Sequence, residues 1–514
     1  MEAFRVNQSI RYELQKRKQN IERRLKNAAP SNDRGCPVIG RQRPHYEVAR
    51  RTRATLHGGI AAAHQVVVQS GLIEGIDAGL EVLKQHRPYH ESDHVLNIAY
   101  NALCGGATLD DIEHRRNDEA YLDAMGAAAI PDPTTAGDFC RRMTETEIGR
   151  LMDIINEARL RVWQRQGPEF TATTARIDAD GSLVPTTGEC KQGMGLSYKG
   201  LWGYHPLLVS LANTSEPLFI VNRSGNRPSS EGAAPYLDKA VALCRKAGFS
   251  DILLRGDTDF SQTEHLDGWT RAGVRFVFGY DATPNLKQWA NCLPVAEYAE
   301  LQRRAKRAFV EPDQRRERPR RVKEEIVRAN GYKNIRLRSE DVAEFEYRPT
   351  ACRQAYRMVV LRKNLSIERG EEVLFDDVRY FFYTTNDWDL AATQVVFEAN
   401  DRCNQENLIE QLKNGVRALH APVNTLDANW AYMVMVSLAW TIKAWMALLL
   451  PVTPRWRNQH ETERDAWLRM EYRTFLAAVI NVPAQVIRKG RRLVVRLLAW
   501  RPQLPVFFRL LDGL

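Results

Sequence analysis

Residues 174–182 read TARIDADGS. In an extended chain Ala175, Ile177 and Ala179 face one way and Arg176, Asp178 and Asp180 the other, so a strand with a core-type face sends two acids out on its polar side. Further apolar runs of strand length follow: HPLLVSLA at 205–212, PLFIVNRS at 217–224, DILLRGD at 251–257 and VRFVFGY at 274–280. Between the second and third of these, EGAAPYLDKAVALCRKAG at 231–248 predicts a helix. Three consecutive strands, a helix and a fourth strand describe a mixed sheet with a crossover, which makes the fold class α/β.

Upstream, residues 56–167 are helical in pattern. Thr144 and Glu147 make a capping box, and Ile148, Leu151, Met152, Ile155 and Val162 recur at helical spacing until Gly167 ends the run. Residues 1–55 are a polar, basic arm. Downstream, residues 281 to about 345 interrupt the sheet with the most basic stretch of the chain, RRAKR at 303–307 and RRERPRR at 315–321. Arg315, Arg316, Arg320 and Arg321 are therefore candidates for phosphate contacts. AYRMVVLRK at 355–363 and VRYFFYTTN at 378–386 resume strands, and after Asn386 the chain reads as helical to its end, through VIRKGRRLVVRLLAW at 486–500. The apolar stretch Trp430 to Leu450 approaches membrane-span length, but it holds Lys443 and follows an amphipathic helix, so it reads as a buried core helix. No membrane is expected as a partner.

The 514 residues exceed what one core can organise, which is roughly 250 to 300 residues, so two or three domains are expected. A hydrophobic share of 44% and a charged share of 26% sit at the globular average and exclude wholesale disorder, collagen-like order and a disulfide-scaffolded mini-protein. The chain is basic, with 73 Lys and Arg against 63 Asp and Glu. Residues 1–60 hold 14 basic against 5 acidic groups and residues 301–340 hold 14 against 6, more than the whole net charge of +10, so the remainder is net acidic. A polyanionic partner gripped by basic segments around an acidic core is the consequence. Cysteines 36, 104, 140, 190, 244, 292, 352 and 403 stand tens of residues apart with no Cys-x-x-Cys pair, which fits a reducing compartment; the N-terminal segment lacks an apolar signal region, so a cytoplasmic location is expected.

Three acidic positions could carry chemistry. The first is the Asp178/Asp180 pair. The second is Asp257, at the carboxyl end of the DILLRGD run where open α/β sheets place ligands; a simple helix cap is the competing role for it. The third lies in NDRCNQENLIEQLKNG at 400–415, where Arg402, Glu406, Glu410 and Lys413 fall within an arc of about 80° on an unbroken α-helix. Carboxylates from two strands and a helix can hold two divalent cations, and hard oxygen donors suit Mg²⁺ or Mn²⁺. Arg402 and Lys413 would bind the phosphates that approach them. No Gly-x4-Gly-Lys-Ser/Thr loop and no His-Glu-x-x-His pattern competes with this reading.

The stretch DADGSLVPTTGECKQGMGLSYKGLWGYHPLLVSLANTSEPLFIVNRSGN at 178–226, followed by LLRGDTDF at 253–260, resembles the DDE transposases of bacterial insertion sequences, specifically DDE group 1. The segments GGATLDDIEHRRND at 105–118, FFYTTN at 381–386 and IRKGRRLVVRL at 487–497 extend the likeness over most of the chain. Arg402, Glu406 and Lys413 are spaced like the last three members of the Tyr-Arg-Glu-Lys signature of that wider group, while Ala399 stands where its tyrosine is expected. The resemblance implies an RNase H-like catalytic core with an inserted domain, preceded by an all-helical DNA-binding domain. The implied layout is a basic arm at 1–55, the helical domain at 56–167, the first part of the core at 168–280, the insertion at 281–375, the second part of the core at 376–450 and a basic helical region at 451–514. It also implies a catalytic, metal-binding triad of Asp180, Asp257 and Glu406, with Asp178 as the fallback for the first acid, and two Mg²⁺ or Mn²⁺ ions. The implied activity is cleavage at the terminal inverted repeats of an insertion sequence and joining of the 3′-hydroxyl ends to target DNA. Its implied setting is a homodimeric synaptic complex on double-stranded DNA, associated with the nucleoid of a bacterial cytoplasm. A nuclease of the same fold and a domesticated, non-catalytic DNA-binding derivative are the alternatives.

Overall fold

A computed structural model describes residues 2–28, 46, 53–86, 88–188, 190–301, 325–326, 329–330, 333–369, 372–490 and 492–514. Arg315, Arg316, Arg320 and Arg321 lie outside the described residues. The chain forms two compact units, one from Met1–Thr171, Ser182–Arg227 and Asn407–Leu514, the other from Ala172–Gly181 and Pro228–Glu406.

The second unit is mixed α/β. Its strands are β1 (Ala175–Gly181), β2 (Ile252–Gly256), β3 (Arg275–Tyr280), β4 (Ala299–Glu300), β5 (Lys333–Tyr347), β6 (Tyr356–Arg369) and β7 (Glu372–Thr385), lying in the order β4-β5-β6-β7-β3-β2-β1. The β1, β2 and β3 neighbours are parallel and the β3 to β7, β6, β5 and β4 neighbours antiparallel, so the sheet is mixed as the strand and helix order requires. Period-2 alternation along β6 separates two apolar layers. Val359 and Leu361 pack with Leu253, Val277 and the helix Ala392–Asp401 through Val395 and Val396, whereas Met358 and Val360 pack with Leu286 and Ala290 of the helix Pro284–Cys292. Burial on both faces explains why the core segment of β6 reads as a continuous apolar run.

The first unit is mainly helical. Helices Ile60–Gln69, Glu91–Leu103, Pro133–Arg142 and Glu145–Gln164 pack against Leu426–Leu448, together with the strand Glu216–Val221, which pairs with Leu207–Leu211 in a hairpin. The helix at 145 begins where its capping box predicts, with the Thr144 N–H donating to Glu147 at 2.9 Å. Leu426–Leu448 is long and apolar enough to cross a membrane, but it is buried inside this unit, packed between these helices and the strand Glu216–Val221. Its polar groups find partners there: Trp440 Nε1 donates to the Ser215 carbonyl at 2.7 Å and Lys443 Nζ to the Leu468 carbonyl at 2.8 Å.

The tail differs from the all-helical expectation. Ala484–Lys489 and Arg492–Leu497 pair as an antiparallel hairpin, and only Leu504–Gly513 is a helix at the end. Gly490, at a φ of +63°, supplies the left-handed turn, and the valines of VIRK and RLVVRL favour the extended chain over the helix that their basic, apolar composition suggested.

Candidate active site

The polar face of β1 is covered. Arg176 and Asp178 lie under the helix Ala392–Asp401 and form a partly buried ionic network with two residues that the sequence patterns do not reveal, Arg255 and Glu398. Arg255 is the register partner of Asp178 across the parallel β1–β2 pair, so both side chains stand on one face. Its guanidinium clasps Asp178 through Nε at 2.7 Å and Nη2 at 2.9 Å, and its Nη1 reaches Glu398 at 3.0 Å. Arg176 holds the same Glu398, at 2.6 Å from Nη2 and 2.9 Å from Nε. Gln405 Nε2 adds a bond to the Asp178 carbonyl at 3.0 Å. Asp178 and Arg255 are only 1% and 2% exposed, so this pair is sealed from any substrate. Burial pushes the Asp178 carboxyl up and Arg255 opposes it; burial also works against the charge of Glu398, but Arg176 and Arg255 hold that carboxyl below its ordinary range.

Two residues further along the same strands, the network opens. Asp180 and Asp257 leave the carboxyl ends of β1 and β2, on the face shared by Asp178 and Arg255. Asp257 also caps the 3₁₀ turn Thr258–Phe260, its Oδ1 accepting the Asp259 N–H at 3.0 Å, so the cap and the neighbourhood of Asp180 coexist in one side chain. The turn fits because Gly279 on β3 has no side chain: a Cβ there would stand 2.7 Å from the Thr258 nitrogen. Burial raises the Asp257 carboxyl, and repulsion from Asp180 raises it further. Asp180 is raised in turn by burial and by the charge of Glu406, while Arg402, at 3.1 Å from its Oδ2, pulls the other way. Arg402 interacts favourably with both aspartates, which outweighs the cost of its own burial and raises its pKa.

The structure thus brings Asp180, Asp257 and Arg402 together, with the exposed Glu406 close enough to influence Asp180. The donor atoms of Asp180, Asp257 and Glu406 do not meet within 4.8 Å, a closeness reached among the described residues by a different group. The unbroken helix assumed for 400–415 is corrected. Ala392–Asp401 stops at a turn over Arg402 and Cys403, Asn404–Glu410 begins a new helix, and Gln411–Gly415 widen into a π turn closed by the Val416 N–H on the Gln411 carbonyl at 2.8 Å. A constant step of about 100° therefore fails between Arg402 and Lys413. Lys413 belongs to the first unit, where its Nζ donates to the Leu183 carbonyl at 2.8 Å.

Two partly buried aspartates repelling one another, beside a third carboxylate, form an oxygen-rich set suited to hard divalent cations, whose charge would relieve that repulsion. The family model described as transposase DDE domain group 1 matches residues 50–514. Among solved structures, a cryo-EM structure of a piggyBac transposase synaptic complex with hairpin DNA is similar at a TM-score of 0.38 and 11% identity, over 84% of this chain and 82% of that chain, a likeness too weak to inform the site. No curated protein matches the sequence.

Proposed function

The chain belongs to the transposase DDE domain group 1 family, and from that premise we propose that Asp180, Asp257 and Glu406 are the catalytic acids of a DDE transposase that cuts DNA at the ends of its element and joins the freed 3′-hydroxyls to target DNA. The observation that carries the reading is the pairing of Asp180 and Asp257 at the carboxyl ends of adjacent parallel strands, Asp180 disfavouring the charge of Asp257, with Arg402 as their counter-ion. Asp178 is not the first acid in this reading, since its carboxylate is committed to Arg255 at the 1% exposure noted above.

Divalent cations, two Mg²⁺ or Mn²⁺, would be held by the three acids and supply Lewis-acid activation of the attacking oxygen and stabilisation of the leaving one. The chain's own residues do the rest. The Arg255 network keeps β1 and β2 in register and so sets the spacing of the two aspartates. Arg402 contacts Asp180 through Nη1, and its planar fork of N–H groups suits a phosphate oxygen of the strand to be cut. Lys413, and the basic segment containing Arg315, Arg316, Arg320 and Arg321, add phosphate contacts along the DNA. The acid-bearing unit is an RNase H-like core, the helices of residues 56–167 bind DNA, and two copies pair the terminal inverted repeats of a bacterial insertion sequence in the cytoplasm.

The test uses labelled element-end DNA with Mg²⁺ and a target plasmid. Asp180→Asn, Asp257→Asn and Glu406→Gln are expected to bind the end DNA as the unaltered protein does and to give neither cleaved nor joined product. Cleavage by any one of them would remove that residue from the triad, and hydrolysis without joined product in the unaltered protein would replace a transposase by a nuclease.

A further inference from the structure

The helical unit carries a second cluster of metal-type donors that the chemistry above does not use. In HRPYHE at 86–91 the chain approaches the helix Glu91–Leu103, with His90 as its extended N-cap residue at φ −92° and ψ 169° and Glu91 as its first helical residue. The change of backbone conformation between these neighbours lets both side chains turn to the same place. Donor atoms of His86, His90 and Glu91 all lie within 4.8 Å of one another. The two imidazoles are stacked, with centroids 4.7 Å apart and an interplanar angle of 18°, and His86 Nε2 is 3.0 Å from Glu91 Oε2.

Glu91 is the unusual member. An acid in the first turn of a helix normally faces water, yet this side chain is 1% exposed. Its Oε1 accepts the backbone N–H groups of Val82 at 3.2 Å and Leu83 at 3.0 Å, which ties the connection after Leu80 to the helix start. Oε2 is buried, and among the described residues no donor is aligned to hydrogen-bond it. A buried carboxylate oxygen facing His86 Nε2 at 3.0 Å, with the His90 imidazole stacked on that ring and both rings open to solvent, is poised for a cation.

We propose that His86, His90 and Glu91 form a zinc site that pins the 80–90 connection to the helix Glu91–Leu103. Two imidazole nitrogens, which are borderline donors, beside one carboxylate oxygen favour zinc over Mg²⁺, and three protein ligands leave a fourth position to water. Glu91 is arranged as such sites arrange their carboxylates, one oxygen fixed by backbone N–H groups and the other directed at the metal. This site shares no residue with Asp180, Asp257 and Glu406, so it stands or falls independently of the catalytic reading.

The full chain, stripped by a chelator and kept in excess Mg²⁺ to occupy oxygen-only sites, is titrated with Zn²⁺ against a chromogenic competitor, and Co²⁺ serves as a spectroscopic replacement. Because Glu91 is buried and its loss could unfold the helix start, the exposed His86→Ala and His90→Ala are the variants of choice, with circular dichroism to verify their folding. The unaltered protein is expected to bind one zinc tightly, to show visible Co²⁺ bands and to melt at a higher temperature with zinc. Each histidine variant is expected to lose at least about 100-fold in zinc affinity together with the Co²⁺ bands, while Asp180→Asn retains both. Equal zinc binding by the histidine variants, loss of zinc binding in Asp180→Asn, or no zinc bound by the unaltered protein would each overturn the proposal.

Discussion

Acids in the two units of this molecule meet very different surroundings. In the helical unit, Glu216 is fully buried and saturated: its Oε1 accepts from Arg159 Nε at 3.0 Å and Trp445 Nε1 at 3.0 Å, and its Oε2 from Trp163 Nε1 at 2.9 Å. Arg159 is equally enclosed and also donates to the Pro217 carbonyl at 2.8 Å. Three donors thus meet its two oxygens, and Glu216 and Arg159 are 0% and 1% exposed. In the α/β unit, Asp180 and Asp257 share one cation, Arg402, and repel one another. The difference is between an acid whose charge the protein compensates completely and a pair whose charge it leaves partly uncompensated, ready for cations and phosphate. Asp178, next but one to Asp180 on the same strand, belongs with Glu216 rather than with its neighbour.

If that contrast is right, neutralising the two kinds of acid produces opposite failures. The largest effect is expected for Asp257→Asn, with cleavage reduced by at least about 10³-fold and the melting temperature unchanged or raised, because an uncompensated repulsion disappears. A folded variant that still cuts would erase the distinction. Glu216→Gln is expected to do the reverse. It strands the buried guanidinium of Arg159 and lowers the stability of its unit by about 3 to 5 kcal/mol, read as a shift in the urea unfolding midpoint. A shift corresponding to less than about 1 kcal/mol would mean that the cluster is not held by its charge. Asp178→Asn sharpens the boundary within a single strand: lower stability by roughly 2 to 4 kcal/mol, with metal-dependent cleavage surviving in the protein that folds. Loss of cleavage without loss of stability would move Asp178 into the site.

That boundary is also where the sequence stops being sufficient. The alternation in TARIDADGS, the strand before Asp257, the capped helix at 145–164 and the apolar helix at 426–448 are all local patterns, and each element is present where its pattern lies. Alternation puts Asp178 and Asp180 on the same side and cannot rank them. What separates them is Arg255, brought from 77 residues away by the parallel register, and Glu398 from a helix further on. One signal was available: Arg255 and Asp257 repeat on β2 the two-residue spacing of Asp178 and Asp180 on β1, so a charged pair on one strand foreshadows a charged pair on the next. The π turn at 411–415 and the hairpin at 484–497 were hidden for another reason. Both depend on how the chain packs after a continuous pattern has been read, and periodicity alone assumes that one geometry continues.

The smallest effect concerns a buried group that neither compensates another charge nor offers itself to a ligand. Lys443 lies in the C-terminal third of Leu426–Leu448 at 1% exposure, with its Nζ 4.0 Å from the Trp440 ring centroid and donating to the Leu468 carbonyl. Burial lowers its pKa from 10.5 to about 7. Between those two values the unfolded chain holds a proton that the folded chain has released, so stability rises with pH through that window; below pH 7 both states are protonated and the cost of the buried ammonium is fully present. Lys443→Met removes the charge and keeps most of the side-chain volume. At pH 7 the variant is expected to be more stable by on the order of 2 kcal/mol, the relief from burial exceeding the loss of the bond to Leu468. The advantage should shrink as the pH approaches 10, because the unaltered protein then folds with a neutral amine. Melting curves across that range decide it: two parallel pH profiles would mean that Lys443 stays charged inside the helix bundle, and would place it with Arg159 as a compensated cation.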